Sequence, residues 1–407
     1  MAVASLAAER AGRNASRRIA PFRESIWLGM DALFQRHPDT IFFGNGAPAA
    51  ELMPTERLRA ASALAWADGA AALSYGETEG YRPLREFIAR QMADIGATAD
   101  PDEILVVNGS QEGMDILGRA LLEPGDVILV EAPTFPDAIR LFASYEVDIV
   151  GVPVDADGAD IEALPALLDR LRQPPKFFYT IPTFQNPTGS TMPAARRQAL
   201  ADLARERGLL LVEDDPYSAY RYDGEPLPAL RWYEPSAVYL GTFSKTVAPG
   251  LRVGWMNAPR PLFDRFFEVK EAMNISNDRM MPRTVFHTVD GGFLAEHLTM
   301  ARAAYRSRRD ALLTALADYL PAEARWHRPA GGFFVWIELP ERIDTDALLP
   351  AAADAGVIYL PGSWFFPGRS RHNALRLSFS SVPEERMAEG IRRLSGVLAE
   401  AMAARRG

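Results

Sequence analysis

The feature that most constrains the fold is a series of short apolar segments through the middle of the chain, separated by stretches with helical spacing. We predict strands at Glu103–Val107, Val127–Val130, Val147–Val154, Phe177–Ile181, Leu209–Val212 and Val238–Gly241. These segments do not alternate between polar and apolar residues, so we expect each strand to be buried on both faces. Buried strands that alternate with helices predict an α/β fold around a mostly parallel sheet.

A second, smaller unit of α+β type is predicted towards the end of the chain. The spacing is helical from Pro261 to about Ala317. Strands are then predicted at Gly331–Glu338, Val357–Leu360 and Leu375–Phe379. A closing helix is expected from Pro383 to Ala404.

The length of the chain, 407 residues, suits one large domain and one smaller domain. We expect a large domain at residues 55–290, a small C-terminal domain at 291–407, and an N-terminal arm and segment at 1–54 that contributes to the small domain. The arm from Val3 to Ala20 is rich in alanine, arginine and serine but lacks the apolar core of a secretory signal. We favour an arm that docks on a partner surface over an organelle-targeting peptide.

Composition excludes several classes of function. The formal charge of −9 argues against a nucleic-acid-binding surface, and the absence of cysteine excludes disulfides, thiol catalysis and zinc–thiolate sites. The five histidines do not have the spacing of metal ligands. No apolar run approaches the roughly 20 residues that a membrane-spanning helix needs. We therefore expect a cytoplasmic protein with no metal, nucleic-acid or membrane partner.

In a parallel sheet, ligands collect at the carboxyl ends of the strands, and four segments there have chemical interest. The first is Asn108–Gln111, where a glycine and a helix N-terminus would suit a phosphate; a plain Ser110 helix cap is the alternative. The second is Ile181–Gly189, in which Asn186 precedes a proline that restrains its backbone. Ordinary turn chemistry explains this segment equally well.

The third segment is Leu209–Tyr217, an apolar strand that ends in three acids. A carboxylate at a sheet end needs a partner, and a cationic ring nitrogen would supply one. Metal binding is the alternative, although no histidine lies near in sequence to complete such a site.

The fourth segment, Tyr239–Trp255, holds Lys245 among hydroxyl groups, with Arg252 seven residues further on. A lysine whose pKa is lowered forms a Schiff base with an aldehyde, and hydroxyls with an arginine suit a phosphate. A solvated surface lysine is the alternative. Together, a phosphate site, an acid for a ring nitrogen and a lysine for an aldehyde indicate pyridoxal 5′-phosphate.

These motifs resemble those of the fold-type I, class I/II aminotransferases that depend on pyridoxal 5′-phosphate. The most specific are Pro-Thr-Phe-Gln-Asn-Pro-Thr-Gly (182–189), Glu-Asp-Asp-Pro-Tyr (213–217) and Gly-Thr-Phe-Ser-Lys-Thr-Val-Ala-Pro-Gly-Leu-Arg (241–252). The chain is most similar to the 2-aminoadipate and kynurenine aminotransferase branch and to the catalytic half of aminotransferase-like transcription regulators. The resemblance spans about Ile41 to Ser380 and implies a large domain with a seven-stranded sheet between helices, plus a smaller α+β domain.

The resemblance also implies roles for individual residues. Lys245 would hold the cofactor as a Schiff base and then move the substrate proton, and Asp214, rather than its neighbour Asp215, would pair with the pyridine nitrogen. Asn186 and Tyr217 would bond the phenolic oxygen of the cofactor. The residues implied for the phosphate are Ser110, Gln111, Thr242, Ser244 and Arg252.

For the substrate, the resemblance implies that Arg376 grips the α-carboxylate and that the backbone of Gly46 approaches the same group. Asn186 would face the substrate as well as the cofactor. Phe135 stands where the family usually places a stacking tyrosine, so stacking is kept while a hydroxyl is lost. Tyr75 resembles the tyrosine that reaches the phosphate of a neighbouring subunit, which implies a homodimer with shared active sites.

The leading hypothesis is amino transfer from an α-amino acid to a 2-oxo acid through Lys245. A second hypothesis keeps the cofactor but changes the bond that is broken, by β-elimination, decarboxylation or oxidation of the amino acid. A third is a cofactor-sensing regulator; only about 40 residues precede Ile41, fewer than a DNA-binding domain of roughly 60 residues would need.

Overall fold

The computed structural model of the chain describes residues 14–22, 26–37 and 39–404. Most of the predicted arm lies outside these residues; the described part forms a 3₁₀ turn at Arg17–Phe22. The strands are β1 (Ile41–Phe42), β2 (Ile104–Val107), β3 (Val127–Ala132), β4 (Asp148–Asp155), β5 (Gly158–Ala159), β6 (Phe178–Thr180), β7 (Leu211–Asp215), β8 (Val238–Thr242), β9 (Gly254–Asn257), β10 (Phe334–Glu338), β11 (Val357–Ile358), β12 (Leu360–Pro361) and β13 (Ala374–Ser378).

Helices separate most of these strands, as the sequence predicts. They are α1 (Ile26–Arg36), α2 (Thr55–Ala67), α3 (Ala70–Leu73), α4 (Arg82–Asp94), α5 (Ser110–Leu121), α6 (Pro136–Ala143), α7 (Leu164–Arg170), α8 (Ala194–Arg207), α9 (Leu230–Tyr233), α10 (Arg260–Asn274), α11 (Met280–Val289), α12 (Phe293–Tyr319), α13 (Thr345–Asp354) and α14 (Glu384–Ala404). None of the helices in the described ranges is long and apolar enough to cross a membrane.

The large sheet has the strand order β2-β9-β8-β7-β6-β3-β4-β5. Its centre, from β8 to β4, is parallel, which confirms the predicted α/β class. The sheet has eight strands rather than seven, because the two-residue β5 pairs antiparallel with β4 at one edge. The prediction also missed β9, which lies antiparallel between β2 and β8.

Helices cover both faces of this sheet, which explains why its strands carry apolar residues on both sides. On one face, α5, α6 and α10 pack through Met114, Phe142 and Phe266. On the other, α4 and α11 contribute Leu84 and Val285 to a core that continues into the C-terminal part of the chain. A third cluster lies under α8. The strands are therefore held rigidly, and so are the loops that leave them.

The C-terminal strands form two further sheets. One has the order β10-β13-β12, and in the other β1 pairs in parallel with β11, so the N-terminal segment joins a C-terminal strand. The predicted single strand Val357–Leu360 is two strands, because the chain changes partner after Ile358: β11 pairs with β1 and β12 pairs with β13. The predicted strand from Gly331 begins at Phe334. The domain boundaries stay a prediction.

Candidate active site

A cavity of about 270 Å³ lies where the loops after the central strands of the large sheet meet β13 and the segment after β1. Every predicted site residue except Tyr75 lines this cavity. They are Gly46, Ser110, Gln111, Phe135, Asn186, Asp214, Tyr217, Thr242, Ser244, Lys245, Arg252 and Arg376. Tyr75 is 81% exposed and does not line the cavity formed by its own chain.

One end of the cavity has the features of an anion site. Helix α5 begins at Ser110, so its free N–H groups and the positive end of its dipole lie there. Gly109 precedes it at φ = 76°, and a Cβ atom at this position would lie 2.2 Å from Nη2 of Arg252. Arg252 donates from Nη2 to the carbonyl oxygen of Asn108 at 3.2 Å and from Nη1 to Oγ of Ser244 at 3.5 Å. A glycine is therefore required for the arginine to lie against this loop.

Two hydroxyl groups of the lysine loop complete the anion site. Oγ1 of Thr242 donates to Oγ of Ser244 at 2.9 Å, and it accepts the backbone N–H of Ser244 at 3.0 Å. The loop is thus folded back on itself at the end of β8. Hydroxyls, helix N–H groups and a guanidinium make a donor set that suits a phosphate.

The three consecutive acids at the end of β7 have different surroundings, because successive side chains of a strand point to opposite faces. Glu213 accepts the backbone N–H of Leu230 at 2.7 Å, and Asp215 accepts the hydroxyl of Tyr239 at 2.8 Å. Only Asp214 of the three lies among the functional residues of the cavity.

Asp214 is buried and has hydrogen-bonding capacity left over. Its Oδ2 accepts the hydroxyl of Tyr179 at 2.6 Å, whereas its buried Oδ1 has no partner. Burial raises the pKa of Asp214 to about 7, and the Tyr179 hydrogen bond opposes that rise. A protonated ring nitrogen would supply the donor that Oδ1 lacks and would hold this carboxylate in its charged form.

Lys245 lines the same cavity. Its Nζ donates to the carbonyl oxygen of Gly46 at 3.0 Å. Burial, and then the positive charges of Arg376 and Arg252, lower the pKa of Lys245 to about 8, while Asp214 opposes them. The hydroxyl of Tyr220 donates to the backbone carbonyl of Lys245 at 2.8 Å and so fixes the loop. The amine is therefore held in place and easily deprotonated.

Arg376, on β13, is buried without any carboxylate partner in the described part of the chain. Its Nη1 donates to Oδ1 of Asn186 at 2.8 Å, and its Nη2 donates to the carbonyl oxygen of Gly44. Its Nε has no partner, and its Cζ lies 4.2 Å from the centroid of the Phe334 ring. Burial lowers the pKa of Arg376 to about 10. A buried, planar guanidinium with a free donor has the charge and the geometry to bind a carboxylate through two hydrogen bonds.

The loop that carries Asn186 is anchored by a buried carboxylate that the sequence analysis did not identify as part of the site. Glu131 accepts from Oγ1 of Thr180 at 2.6 Å, from the backbone N–H of Ile181 at 3.1 Å and from Nε2 of Gln185 at 3.0 Å. Burial raises the pKa of Glu131, and these three hydrogen bonds oppose that rise. The amide of Asn186 is therefore presented to Arg376 from a rigid loop.

Two aromatic side chains define the remaining walls. Phe135 lies at the start of α6 and lines the cavity, as does the ring of Tyr217. Tyr217 packs edge-on against Phe334, with ring centroids 5.5 Å apart, and burial raises the pKa of its hydroxyl. Lys245 Nζ lies 5.9 Å from the centroid of the Tyr217 ring.

Sequence reasoning missed Tyr179 and Asp137. Tyr179 is a hydroxyl-bearing residue inside an apolar strand, which is a signal that could have identified it as the partner of a buried acid. Asp137 lines the cavity from the first turn of α6, where it pairs with Arg140 at 2.9 Å. Nothing in the sequence distinguishes Asp137 from other acids in a first helical turn.

Comparisons with known proteins identify the family of this chain. The family model described as aminotransferase class I and II matches residues 38–394. The chain belongs to the class I and II aminotransferases. It is 40% identical to aromatic-amino-acid aminotransferase 1 of Thermococcus litoralis over 372 residues, covering 89% of each chain. It is 37% identical to 2-aminoadipate transaminase of Thermus thermophilus, covering 89% of this chain and 91% of that one.

Among solved structures, this aminotransferase is similar to the kynurenine aminotransferase of Pyrococcus horikoshii in complex with PMP. The TM-score is 0.91 at 36% identity, and the match covers 96% of this chain and 98% of that one. The resemblance predicted from the strand-end motifs is therefore confirmed at the level of family, fold and reaction type. The roles of single residues stay predictions.

Proposed function

We propose that this aminotransferase binds pyridoxal 5′-phosphate and moves the amino group of an α-amino acid to a 2-oxo acid. The observation that carries the proposal is one cavity that brings together three incompletely satisfied groups. They are the amine of Lys245, whose pKa is about 8, the buried Oδ1 of Asp214, which has no donor, and the buried guanidinium of Arg376, which has no carboxylate partner among the described residues.

The residues present fit the cofactor at both of its ends. Ser110, Gln111, Thr242, Ser244 and Arg252 would hold its phosphate. Oδ1 of Asp214 would accept from its ring nitrogen, the ring of Phe135 would stack on it, and Asn186 and Tyr217 would bond its phenolic oxygen. When bound, the cofactor supplies an aldehyde that condenses with amines and a ring that accepts electrons from the substrate Cα.

The protein's own contribution to the reaction is to orient the amino acid and to move one proton. Arg376 would grip the α-carboxylate with two parallel hydrogen bonds and so fix the direction of the Cα–H bond. Nζ of Lys245, whose pKa is lowered chiefly by burial, would take the Cα proton and return it one step later.

The proposed substrates are α-amino acids and 2-oxo acids, and the relatives indicate which to test. Proteins similar to this chain are named for aromatic amino acids, 2-aminoadipate and kynurenine. Phenylalanine, 2-aminoadipate and kynurenine are therefore the first donors to try, each with 2-oxoglutarate as the acceptor.

We also propose a homodimer whose two active sites are shared. Leu73, Tyr75 and Ile275 are large apolar or aromatic side chains that are 65%, 81% and 67% exposed. A partner subunit packed on this part of the chain would cover these three side chains. Tyr75 would reach the phosphate site of the partner from there. Sedimentation that shows a fully active monomer would contradict this part of the proposal.

The decisive experiment uses the fact that the chain contains only three lysines, Lys176, Lys245 and Lys270. Borohydride reduction of the protein loaded with pyridoxal 5′-phosphate should leave the label on the peptide that contains Lys245. Lys245→Ala should lose the label and donor-dependent changes in cofactor absorbance, with turnover down by several orders of magnitude. Lys176→Ala, at a half-exposed lysine paired with Asp126, is the matched control and should behave as wild type.

A Lys245→Ala protein that turns over at the wild-type rate would contradict the proposal. The same absorbance assay separates amino transfer from elimination, decarboxylation or oxidation, because only amino transfer needs a 2-oxo acid to restore the starting spectrum.

A further inference from the structure

A lysine buried beneath the phosphate site has no role in the proposed function. Lys270, on α10, has a fully buried side chain, and its Nζ lies 3.3 Å from Oε2 of Glu112. Glu112 lies in the first turn of α5, two residues after Ser110. Burial lowers the pKa of Lys270, and the carboxylate of Glu112 opposes that shift. Burying an ammonium is costly, so a lysine at this place needs its partner.

Glu112 is itself the residue that shapes the loop in front of α5. Its Oε2 accepts the backbone N–H of Asn108, and its Oε1 accepts from Nδ2 of Asn274. The carbonyl oxygen of Asn108 accepts from Arg252 at 3.2 Å. The peptide groups at Asn108 are therefore held from one side by a carboxylate and from the other by the arginine of the anion site.

This arrangement creates an electrostatic conflict. A carboxylate near the first turn of a helix is stabilised by the helix dipole, but the same position repels a phosphate that binds at that N-terminus. Glu112 is only 12% exposed, so water screens this repulsion weakly. A positive charge in contact with the carboxylate removes the repulsion and leaves its hydrogen bonds intact.

We propose that Lys270 is a positioning residue that neutralises Glu112, so that Glu112 can fix the Asn108 loop without repelling the phosphate of the cofactor. This inference rests on the proposed function, since it concerns the affinity of the same site for its phosphate. The pair acts through its charge. Phosphate binding requires that the net charge of Lys270 and Glu112 together is zero, and it does not require either side chain for its shape.

A purely structural role makes a different prediction. Buried ion pairs can often be replaced by apolar side chains, and loss of packing would weaken binding of the whole cofactor. A charge-balancing role affects only ligands that carry a phosphate, and it predicts that the second substitution reverses the effect of the first.

The test compares cofactor-free wild type with Lys270→Met, Glu112→Gln and the double variant, by absorbance titration with pyridoxal 5′-phosphate and with pyridoxal, which lacks the phosphate. Lys270→Met should weaken pyridoxal 5′-phosphate binding about tenfold, the size of a typical uncompensated charge, and leave pyridoxal unchanged. The double variant should return to within about threefold of wild type, since neutrality is restored. Lys176→Met is the control for loss of a lysine elsewhere.

Equal weakening for both ligands, or a double variant as weak as Lys270→Met, would overturn the inference while leaving the proposed function in place. If Lys270→Met does not fold, the double variant decides, because its two positions together are neutral as in wild type; binding of pyridoxal 5′-phosphate more than about threefold weaker than wild type, with pyridoxal unchanged, overturns the inference. Failure of the wild-type protein to bind pyridoxal 5′-phosphate would overturn the proposed function together with this inference.

Discussion

Two buried arginines, Arg376 in the cavity and Arg197 behind the sheet, show how differently the fold treats the same side chain. Arg197 donates to the carbonyl oxygens of Met192, Pro228 and Pro182, each at 2.9 Å, and to the hydroxyl of Thr183 at 2.7 Å. Arg376 lies equally deep but keeps an unpartnered Nε. Burial lowers the pKa of both.

The two arginines differ in whether hydrogen-bond donors of the guanidinium remain free for a ligand. Arg197 has its hydrogen bonds satisfied by the protein, so it stabilises the fold. Arg376 is only partly satisfied, and such a group costs free energy until a ligand arrives. The acids follow the same rule, because Asp215 is bonded by Tyr239 and Ser218 while Asp214 keeps a free oxygen. In both comparisons the residue that lines the cavity keeps an unpartnered buried atom, although such atoms also occur outside the cavity, as at Oε1 of Glu213.

The largest expected effect comes from replacing the two arginines in turn. Arg376→Leu should lower kcat/KM for amino donors roughly 100- to 1,000-fold, because a carboxylate loses its charged partner. Arg197→Leu should instead lower the free energy of unfolding by roughly 3–5 kcal/mol, since the carbonyl oxygens of Met192, Pro228 and Pro182 lose their donor. Steady-state kinetics and urea unfolding of both variants check this; the reverse pattern would break the comparison.

The neighbouring acids of β7 provide the next test. Asp214→Asn should lower kcat about 100-fold, because the group that faces the cofactor ring no longer carries a charge. Asp215→Asn should mainly cost stability, about 1–3 kcal/mol, through weakened hydrogen bonds to Tyr239 and Ser218. Cofactor spectra and thermal unfolding separate the two outcomes, and similar kinetic losses in both variants would contradict the assignment.

A smaller effect is expected at Tyr179. Tyr179→Phe removes the hydrogen bond that orients Asp214, so kcat should fall about tenfold while the substrate KM stays close to wild type. Tyr145→Phe is the matched control, because it removes a hydroxyl bonded to Asp115 away from the cavity. Equal kinetics for the two variants would show that Tyr179 does not act on Asp214.

The smallest expected effect is on pH dependence. Only the neutral amine attacks an aldehyde, so the rate at which cofactor-free protein captures pyridoxal 5′-phosphate should rise with pH and level off above about 8, the pKa of Lys245. Arg376→Leu removes a positive charge that lowers this pKa, so the midpoint should move to higher pH. Stopped-flow absorbance between pH 6 and about 10 measures the shift; a midpoint that stays or falls would contradict the electrostatic account.

Much of this molecule could be predicted from sequence, because the predictions depended on local signals. The central parallel strands were recognisable from their apolar runs, and all but one of the predicted site residues line the cavity. Gly254–Asn257 was missed because four residues of mixed character become a strand only when β2 and β8 lie on both sides of them.

The parts that could not be predicted depend on contacts between distant segments. Nothing local to Glu112 indicates that Lys270, 158 residues away, lies against it. The different surroundings of three consecutive acids likewise follow from neighbours on other elements. Most of the N-terminal arm falls outside the described residues, so its docking on a partner surface stays a prediction.

The alternation of side chains along β7 has a consequence for how this site tolerates insertions and deletions. Deleting one residue between Leu211 and Asp214 would shift the alternation by one position, so that the side chains beyond the deletion would point to the opposite face of the sheet. The same deletion would separate Arg197 from Glu213, now 3.8 Å away, and would remove the carboxylate of Asp214 from the cavity. A two-residue change preserves the alternation. The number of residues in this stretch is therefore constrained as well as their identity, and variation in the length of this protein is expected in its outer loops instead.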